Sequence, residues 1–390
     1  MHKILRNVSM TMSNKNYNNM NFNIEGIPSN AVSIVGSVAD EEYSIASLLE
    51  AQSNLLCNAI NHCITVCDFI DIIQSIIRTL KTIIQKNNIL ENKLRETLNF
   101  IQKEGIGCLD YNEQFELLNN LNSVLESIGT EESSLGYLID KLGKGVTNIA
   151  SYCTFDDIKQ VNNLIITLMK LIVEKNMILL RKLRTVISLI KFIKDSEFDI
   201  FIKIKKEMFC TIKKLINSIF KEEKGLAELI FGESVKMSCA LKMCINEEEL
   251  SELDSLINSF IDVICDKKRI LEYKLSEILT LLNTVGFSSC EIDSIMNHLK
   301  DLQSVAYVGE FELSKLIKNN SKELNKFIDQ ECCNFNELVR FNICITCNLV
   351  CLLLNLNSGR KNKNAFECDP GSCSNKSICK KINNIINQIK

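Results

Sequence analysis

Residues that interrupt helices are scarce in this sequence. Its 390 residues include two prolines, 14 glycines and no tryptophan, and no proline lies between Pro28 and Pro370. Because proline removes a backbone donor and clashes with the preceding turn, so long a stretch without it is typical of helices. Strand-like alternation is also rare, while Ile, Leu, Lys, Glu and Asn dominate. The sequence therefore predicts an all-α protein.

A strong excess of charge is also lacking. The 45 Lys and Arg residues against 48 Asp and Glu residues give a formal net charge of −3. Such a chain has no overall basic field to attract nucleic acid. Its three histidines are scattered, no cofactor-binding loop is present, and no nucleophile has an evident base. We expect no nucleic-acid partner, no cofactor and no enzymatic activity.

Long apolar runs are missing as well. The first thirty residues are polar and Asn-rich, without the apolar core of a secretory signal. We expect residues 1–36 to form a flexible arm. The uncharged stretch 341–359 contains several asparagines, and its apolar part is shorter than the roughly 20 residues that a transmembrane helix needs. We therefore expect synthesis in the cytoplasm and no membrane span.

A repeated apolar pattern is the main feature that the sequence does contain. From Ile76 to Ile101, apolar residues recur at alternating steps of four and three, which places them on one stripe of a long helix. The stripe returns in the same register from Ile165 and from Ile257. This indicates an internal repeat of about 90 residues. The fourth position of the stripe is polar each time, as Asn87, Asn176 and Lys268.

A shorter helix before each stripe extends the repeat to a fourth copy, which Gly359 cuts short. A further short helix follows each of the first three stripes, so we interpret each unit as a small antiparallel three-helix bundle. A truncated last copy is common in repeat arrays. The predicted organisation is an arm at 1–36, helical repeats at 37–129, 130–220 and 221–308, a truncated repeat at 309–359, and a Cys-containing tail at 360–390.

Several polar features of the repeats have structural interpretations. Acidic residues in the first turn of a helix favour the macrodipole, so we interpret the recurring glutamate pairs as helix starts, with Ser37 as the first N-cap. Gly143-Lys144-Gly145 lacks the rest of a phosphate loop and predicts a break within a helix. Asn87 and Asn176 are interpreted as polar contacts that set the register of packing. The glutamate pairs are Glu41–Glu42, Glu131–Glu132 and Glu222–Glu223.

Cysteine is the reactive residue present in quantity, with 18 copies. Chains without a secretory signal rarely keep so many unless they bind metal, do redox work or become oxidised later. Cys344, Cys347 and Cys351 share one helix face beside the apolar seam, where they are placed to meet another surface. We therefore predict intermolecular disulfides. The candidate cross-linking residues are Cys332, Cys333, Cys344, Cys347, Cys351, Cys368, Cys373 and Cys379 near the C-terminus, and Cys63 and Cys67.

Two alternatives to cross-linking stay open. Free cysteine is among the most buried residue types, so the same thiols also fit a small hydrophobic role beneath the tail. The spacing of Cys344, Cys347, Cys368 and Cys373 also resembles a four-thiolate zinc site, although a pair inside a long helix is poor geometry for one ion.

The opening of the first unit resembles a known group of proteins. Ser37-Val38-Ala39-Asp40-Glu41-Glu42, followed by Ala46, Leu48-Leu49 and Ala51, is similar to helical spore-surface proteins of coat and exosporium type in low-GC, spore-forming Gram-positive bacteria. Those proteins carry a Ser-Val-Ala-x-Glu-Glu opening, an Ala-x-x-Leu helix and a long Lys/Leu-rich second helix. The match covers the first unit well and the others in outline. The present chain departs in concentrating its cysteines at the C-terminus and in lacking a Gly-rich segment.

The resemblance implies a structural role in the spore surface layer. Such a protein is made in the cytoplasm during sporulation without a signal peptide, and its cysteines are oxidised once the layer meets the outside. The expected partners are further copies of the chain, in a homo-oligomer or lattice, and other spore-layer proteins. The alternative is an intracellular helical scaffold with reduced, buried cysteines and a zinc-bound tail.

Overall fold

The computed structural model describes residues 26–62, 64–196, 198–240, 242–243 and 247–330. No β-strand occurs in these ranges, which confirms the all-α prediction. The described residues form a short 3-10 turn at Ile106–Cys108 and seven α-helices: α1 Gly26–Asn61, α2 Val66–Glu104, α3 Tyr111–Ile149, α4 Phe155–Ser196, α5 Phe198–Ala240, α6 Glu247–Val285 and α7 Ser289–Gln330.

The ends of the helices follow local sequence signals. Thr65 and Asp68 form a capping box at the start of α2, and Asp110 and Glu113 form another at the start of α3. Each box satisfies backbone N–H groups that a helix start leaves without partners. Gly105 ends α2 with a φ of 83°, in the left-handed region that favours glycine.

The helices pack in two rows. Helices α1, α3 and α5 lie side by side in one row, and α2, α4 and α6 lie side by side in the other. The sequential pairs α1–α2, α3–α4 and α5–α6 also pack against each other as hairpins. The core lies between the rows, where the apolar stripes that start at Ile76 and Ile165 are buried and the stripe that starts at Ile257 is mostly buried. The repeating unit is therefore a hairpin of two long helices, and the predicted three-helix bundle is wrong.

The helices also cross the predicted unit boundaries. The boundaries at 129/130 and 220/221 fall inside α3 and α5, because the short third helix of one unit and the first helix of the next form one continuous helix. Similarly, α1 begins at Gly26, so residues 26–36 are helical. Ser37 is therefore not an N-cap; its hydroxyl donates to the carbonyl oxygen of Ile34 at 2.9 Å.

The glycines of α3 permit close helix contact and do not break the helix, contrary to the prediction for Gly143-Lys144-Gly145. A Cβ atom added to Gly143 would lie 2.5 Å from the carbonyl carbon of Glu228 on α5. One added to Gly145 would collide with the ring of Phe69 on α2. Glycine at these positions lets the backbones and the aromatic ring approach, which any side chain would prevent.

The chain divides into two compact units, Met1–Leu324 and Asn325–Lys390. Nearly all of the second unit lies outside the described residues, as do residues 331–359 of the predicted fourth repeat and the predicted tail at 360–390. Among the described helices, none has the length and apolar character that a membrane span needs.

Candidate functional site

The two rows of helices are joined by lysines that have no access to solvent. Lys175 and Lys182 on α4, and Lys267 and Lys274 on α6, are each 0 % exposed. Lysine is almost never fully buried unless an acidic or polar partner compensates for the lost hydration. The partners of these lysines show how the hairpins are held together.

Helices α4 and α6 each carry two of these buried lysines, and the first of the two binds a glutamate of its own hairpin. Lys175 pairs with Glu131 on α3, and Lys267 pairs with Glu222 on α5. In the first hairpin, the equivalent residue Lys86 pairs with Glu41, and there the lysine side chain is 48 % exposed. These pairs connect the two helices of one hairpin.

The second buried lysine on each of these two helices binds the preceding hairpin. Lys182 on α4 donates to Glu42 on α1 and to Asn87 on α2. One repeat later, Lys274 on α6 donates to Asn176 on α4 and pairs with Glu132 on α3, the latter at 2.6 Å. Asn87 and Asn176 make the predicted polar contacts, because each accepts a hydrogen bond from the next hairpin, and their role in setting the register stays a prediction.

Burial and mutual contact shift the pKa values of these buried lysines and glutamates. Burial, with the nearby charge of Glu42, raises the pKa of the Glu131 carboxyl well above its ordinary value. Burial also opposes the charge of Glu42, but a hydrogen bond from Glu131 and the charges of Lys182 and Lys175 outweigh it and lower the pKa of Glu42. Burial lowers the pKa of Lys175, although Glu131 acts in the opposite direction. The arrangement favours a proton on Glu131 and a negative charge on Glu42.

The glutamate pairs therefore do not mark helix starts, and that prediction is wrong. Glu131 and Glu132 lie in the middle of α3, and Glu222 lies in the middle of α5. The lysines that bind them were missed by the sequence reasoning. A signal was present, since Lys86, Lys175 and Lys267 directly precede the polar position of the stripe in each repeat.

Of the cysteines predicted to form cross-links, one lies in the described part of the chain. Cys67, on the first turn of α2, is exposed. Cys63 and the eight C-terminal candidates, from Cys332 to Cys379, lie outside the described residues. They include the alternative zinc ligands Cys344, Cys347, Cys368 and Cys373. Within the described ranges, no group of His, Cys, Asp or Glu side chains could hold a metal ion.

Three exposed thiols were not among the predicted candidates. Cys108 and Cys290 lie at the connections between hairpins, and Cys210 lies on α5. In contrast, Cys153, after the end of α3, is 5 % exposed, and its thiol donates to the carbonyl oxygen of Ile149 at 3.3 Å. Burial raises the pKa of Cys153 to about 11. Each of the eight cysteines in the described ranges is a free thiol.

Comparisons with known proteins single out one family. No curated protein matches the sequence. A solved structure from work titled "Computational Design of Self-Assembling Cyclic Protein Homooligomers" is similar over 76 % of this chain and 99 % of its own, with 12 % sequence identity and a TM-score of 0.17. A TM-score that low carries no argument about fold or function.

The alpha-helical endospore appendage domain matches the sequence three times, at residues 29–101, 118–190 and 208–282. The first match spans α1 and α2, the second spans most of α3 and α4, and the third spans most of α5 and α6. Each copy of the domain is thus one hairpin of the two-row array, and Lys182 and Lys274 join the second and third copies to the copy before them. The three matches confirm the predicted tandem helical repeat. Because the matches cover more than half of the chain, this protein belongs to the alpha-helical endospore appendage domain family.

Proposed function

We propose that this chain is a structural, non-enzymatic protein of a spore outer layer, whose copies self-assemble and are joined by intermolecular disulfides. Membership of an endospore appendage family carries the spore-associated, structural part of this proposal. The array of hairpins supplies a long scaffold, in which each hairpin buries its surface against the next.

Exposed thiols support the cross-linking part. Cys67, Cys108, Cys210 and Cys290 are all exposed and unpaired with one another. Cys108 lies in the 3-10 turn between α2 and α3, and Cys290 lies on the first turn of α7, so both thiols are near helix ends. Thiols in such positions form disulfides between molecules once the environment becomes oxidising, whereas a reducing cytosol keeps them free.

The test is electron microscopy and non-reducing gel electrophoresis of the purified full-length chain, with and without reductant. We expect ordered assemblies and high-mass bands under oxidising conditions, and their loss when dithiothreitol is added. A chain that stays monomeric under both conditions contradicts the proposal. Two counts separate it from the intracellular scaffold, which predicts fully reduced cysteines and a bound metal ion: the zinc bound to the folded protein and the thiols that react after unfolding.

A further inference from the structure

The first hairpin exposes side chains at positions that the later hairpins bury. Ile89 on α2 is 62 % exposed, whereas the equivalent residues Ile178 and Ile270 are 1 % and 4 % exposed. Leu48 on α1 is 43 % exposed, and its equivalents Leu138 and Leu229 are fully buried. The first hairpin therefore carries, on an exposed face, the type of residue that the later hairpins bury.

The same contrast in exposure holds for a charged residue of the first hairpin. Lys93 is 37 % exposed and lies 3.5 Å from Glu41 of its own hairpin. Its equivalents Lys182 and Lys274 are fully buried and bind a glutamate and an asparagine of the preceding hairpin. No hairpin precedes that of Lys93 among the described residues, and within them Lys93 is the one lysine of the series that lacks this type of partner.

Within the array, the preceding hairpin makes contacts with the following one at two further points. Lys182 reaches α1 and α2, and the close approach at Gly145 is made by Phe69 of α2. In both cases the contact is with a preceding hairpin of the same kind. A repeat face that stays exposed to solvent is normally polar, and Leu48 and Ile89 depart from that pattern.

A complementary surface lies on α7. Glu310 occupies the position of Glu42 and Glu132 in the repeat, the two glutamates that bind the lysine of the following hairpin. Glu310 has a side chain that is 47 % exposed and pairs with Lys268. Tyr307, one turn earlier, is 72 % exposed. An exposed carboxylate beside an exposed aromatic ring matches the basic and apolar character of the first hairpin.

We propose that the open face of the first hairpin, formed by Leu48, Ile89 and Lys93, binds the α7 surface around Glu310 of a second copy of the chain. In this contact Lys93 of one copy approaches Glu310 of the other, as Lys182 approaches Glu42 within the chain. The contact is heterologous, so each bound copy leaves one open face and one α7 surface for the next copy. This inference rests on the proposed function and names the surface through which self-assembly occurs.

Charge reversal in the full-length protein tests the contact. We expect Lys93→Glu and Glu310→Lys each to raise the critical concentration for assembly at least tenfold, measured by sedimentation and electron microscopy under the oxidising conditions used for the wild type. Glu310→Gln, which removes the charge without placing two lysines side by side, should raise it in the same direction. Circular dichroism establishes that each variant keeps its helices.

The matched control is Lys81→Glu. Lys81 is exposed on α2, and its equivalents Lys170 and Asp262 are also exposed, so no neighbouring hairpin covers this position. We expect its critical concentration to stay within twofold of the wild type. An equal mixture of the Lys93→Glu and Glu310→Lys chains should assemble, because each supplies the surface that the other lacks.

Three outcomes overturn the inference. In the first, the wild type assembles and either reversal behaves like Lys81→Glu, which leaves the proposed function intact. In the second, both reversals block assembly but their mixture does not restore it, which excludes a direct contact between Lys93 of one copy and Glu310 of another. In the third, the wild type never assembles, and the proposed function fails as well.

Discussion

At the scale of single residues, the buried lysines decide how the hairpins are joined. Lys182 and Glu42 are both fully buried, and Asn87 accepts a further hydrogen bond from the same ammonium group. Removing one member of a buried ion pair leaves the other charged and without compensation, whereas an exposed pair is worth little. The free energy of unfolding should therefore respond very differently to the same substitution at equivalent positions.

We expect Lys182→Met to lower the free energy of unfolding by about 3–5 kcal/mol, because Glu42 stays buried and loses its direct ion pair. The matched control, Lys93→Met, removes the equivalent lysine where it is 37 % exposed and should cost less than about 1 kcal/mol. Urea denaturation followed by circular dichroism measures both. Adding Glu42→Gln to Lys182→Met should recover part of the loss. Equal effects of the two lysine substitutions would contradict this role for Lys182.

Protonation of Glu131 gives a second residue-scale prediction. Because the pKa of Glu131 is raised in the folded state, its proton stabilises the fold below the ordinary pKa of glutamate, and this contribution is lost as pH rises towards the folded pKa. Glu131→Gln keeps a neutral group at every pH. The variant should therefore gain stability relative to the wild type as pH rises from about 4.5, by at most about 1.4 kcal/mol per pH unit.

Urea denaturation at pH 4, 5, 6 and 7 measures this trend. The exposed Glu116→Gln on the same helix is the control for removing one acidic side chain. A stability difference between the Glu131→Gln variant and the wild type that shrinks or stays constant as pH rises would show that Glu131 is ionised in the folded protein.

At the scale of helices, glycine sets how closely neighbouring helices of one row pack. Gly143 lies where a Cβ would reach 2.5 Å from the backbone of α5, so Gly143→Ala forces the helices apart and should destabilise by about 1–3 kcal/mol. Gly309 on α7 has room, since its added Cβ would lie 3.8 Å from the Lys268 ammonium nitrogen and 3.9 Å from the Ala227 Cβ. Gly309→Ala should instead stabilise by about 0.5–1 kcal/mol, because alanine is the better helix former. Thermal unfolding of both variants checks the opposite signs.

The helices and their apolar stripes could be predicted from the sequence, but the contacts between the helices could be predicted only in part. The scarcity of proline and the periodicity from Ile76 to Ile101 gave the all-α fold and the repeat. The same local rules misplaced Glu131 and Gly143, because an acidic pair resembles a helix start and a Gly-Lys-Gly resembles a break. Their actual roles depend on Lys175 and on the backbone of α5, which are distant in the sequence. Local sequence patterns do not reveal contacts with residues that are distant in the sequence.

At the scale of the whole molecule, the array consists of hairpins that contact mainly their neighbours, so the cost of a substitution depends on whether the neighbour is present. Deleting residues 1–104 removes Glu42 and Asn87 and turns the hairpin of α3 and α4 into the open end. In the shortened chain Lys182 takes the place that Lys93 has in the full chain.

We expect Lys182→Met to lower the free energy of unfolding by about 3–5 kcal/mol in the full chain and by less than about 1 kcal/mol in the shortened one. Urea denaturation of the four proteins gives the difference as a coupling energy. A Lys182→Met cost that is the same in both chains would mean that Lys182 stabilises its own hairpin and does not join it to the preceding one.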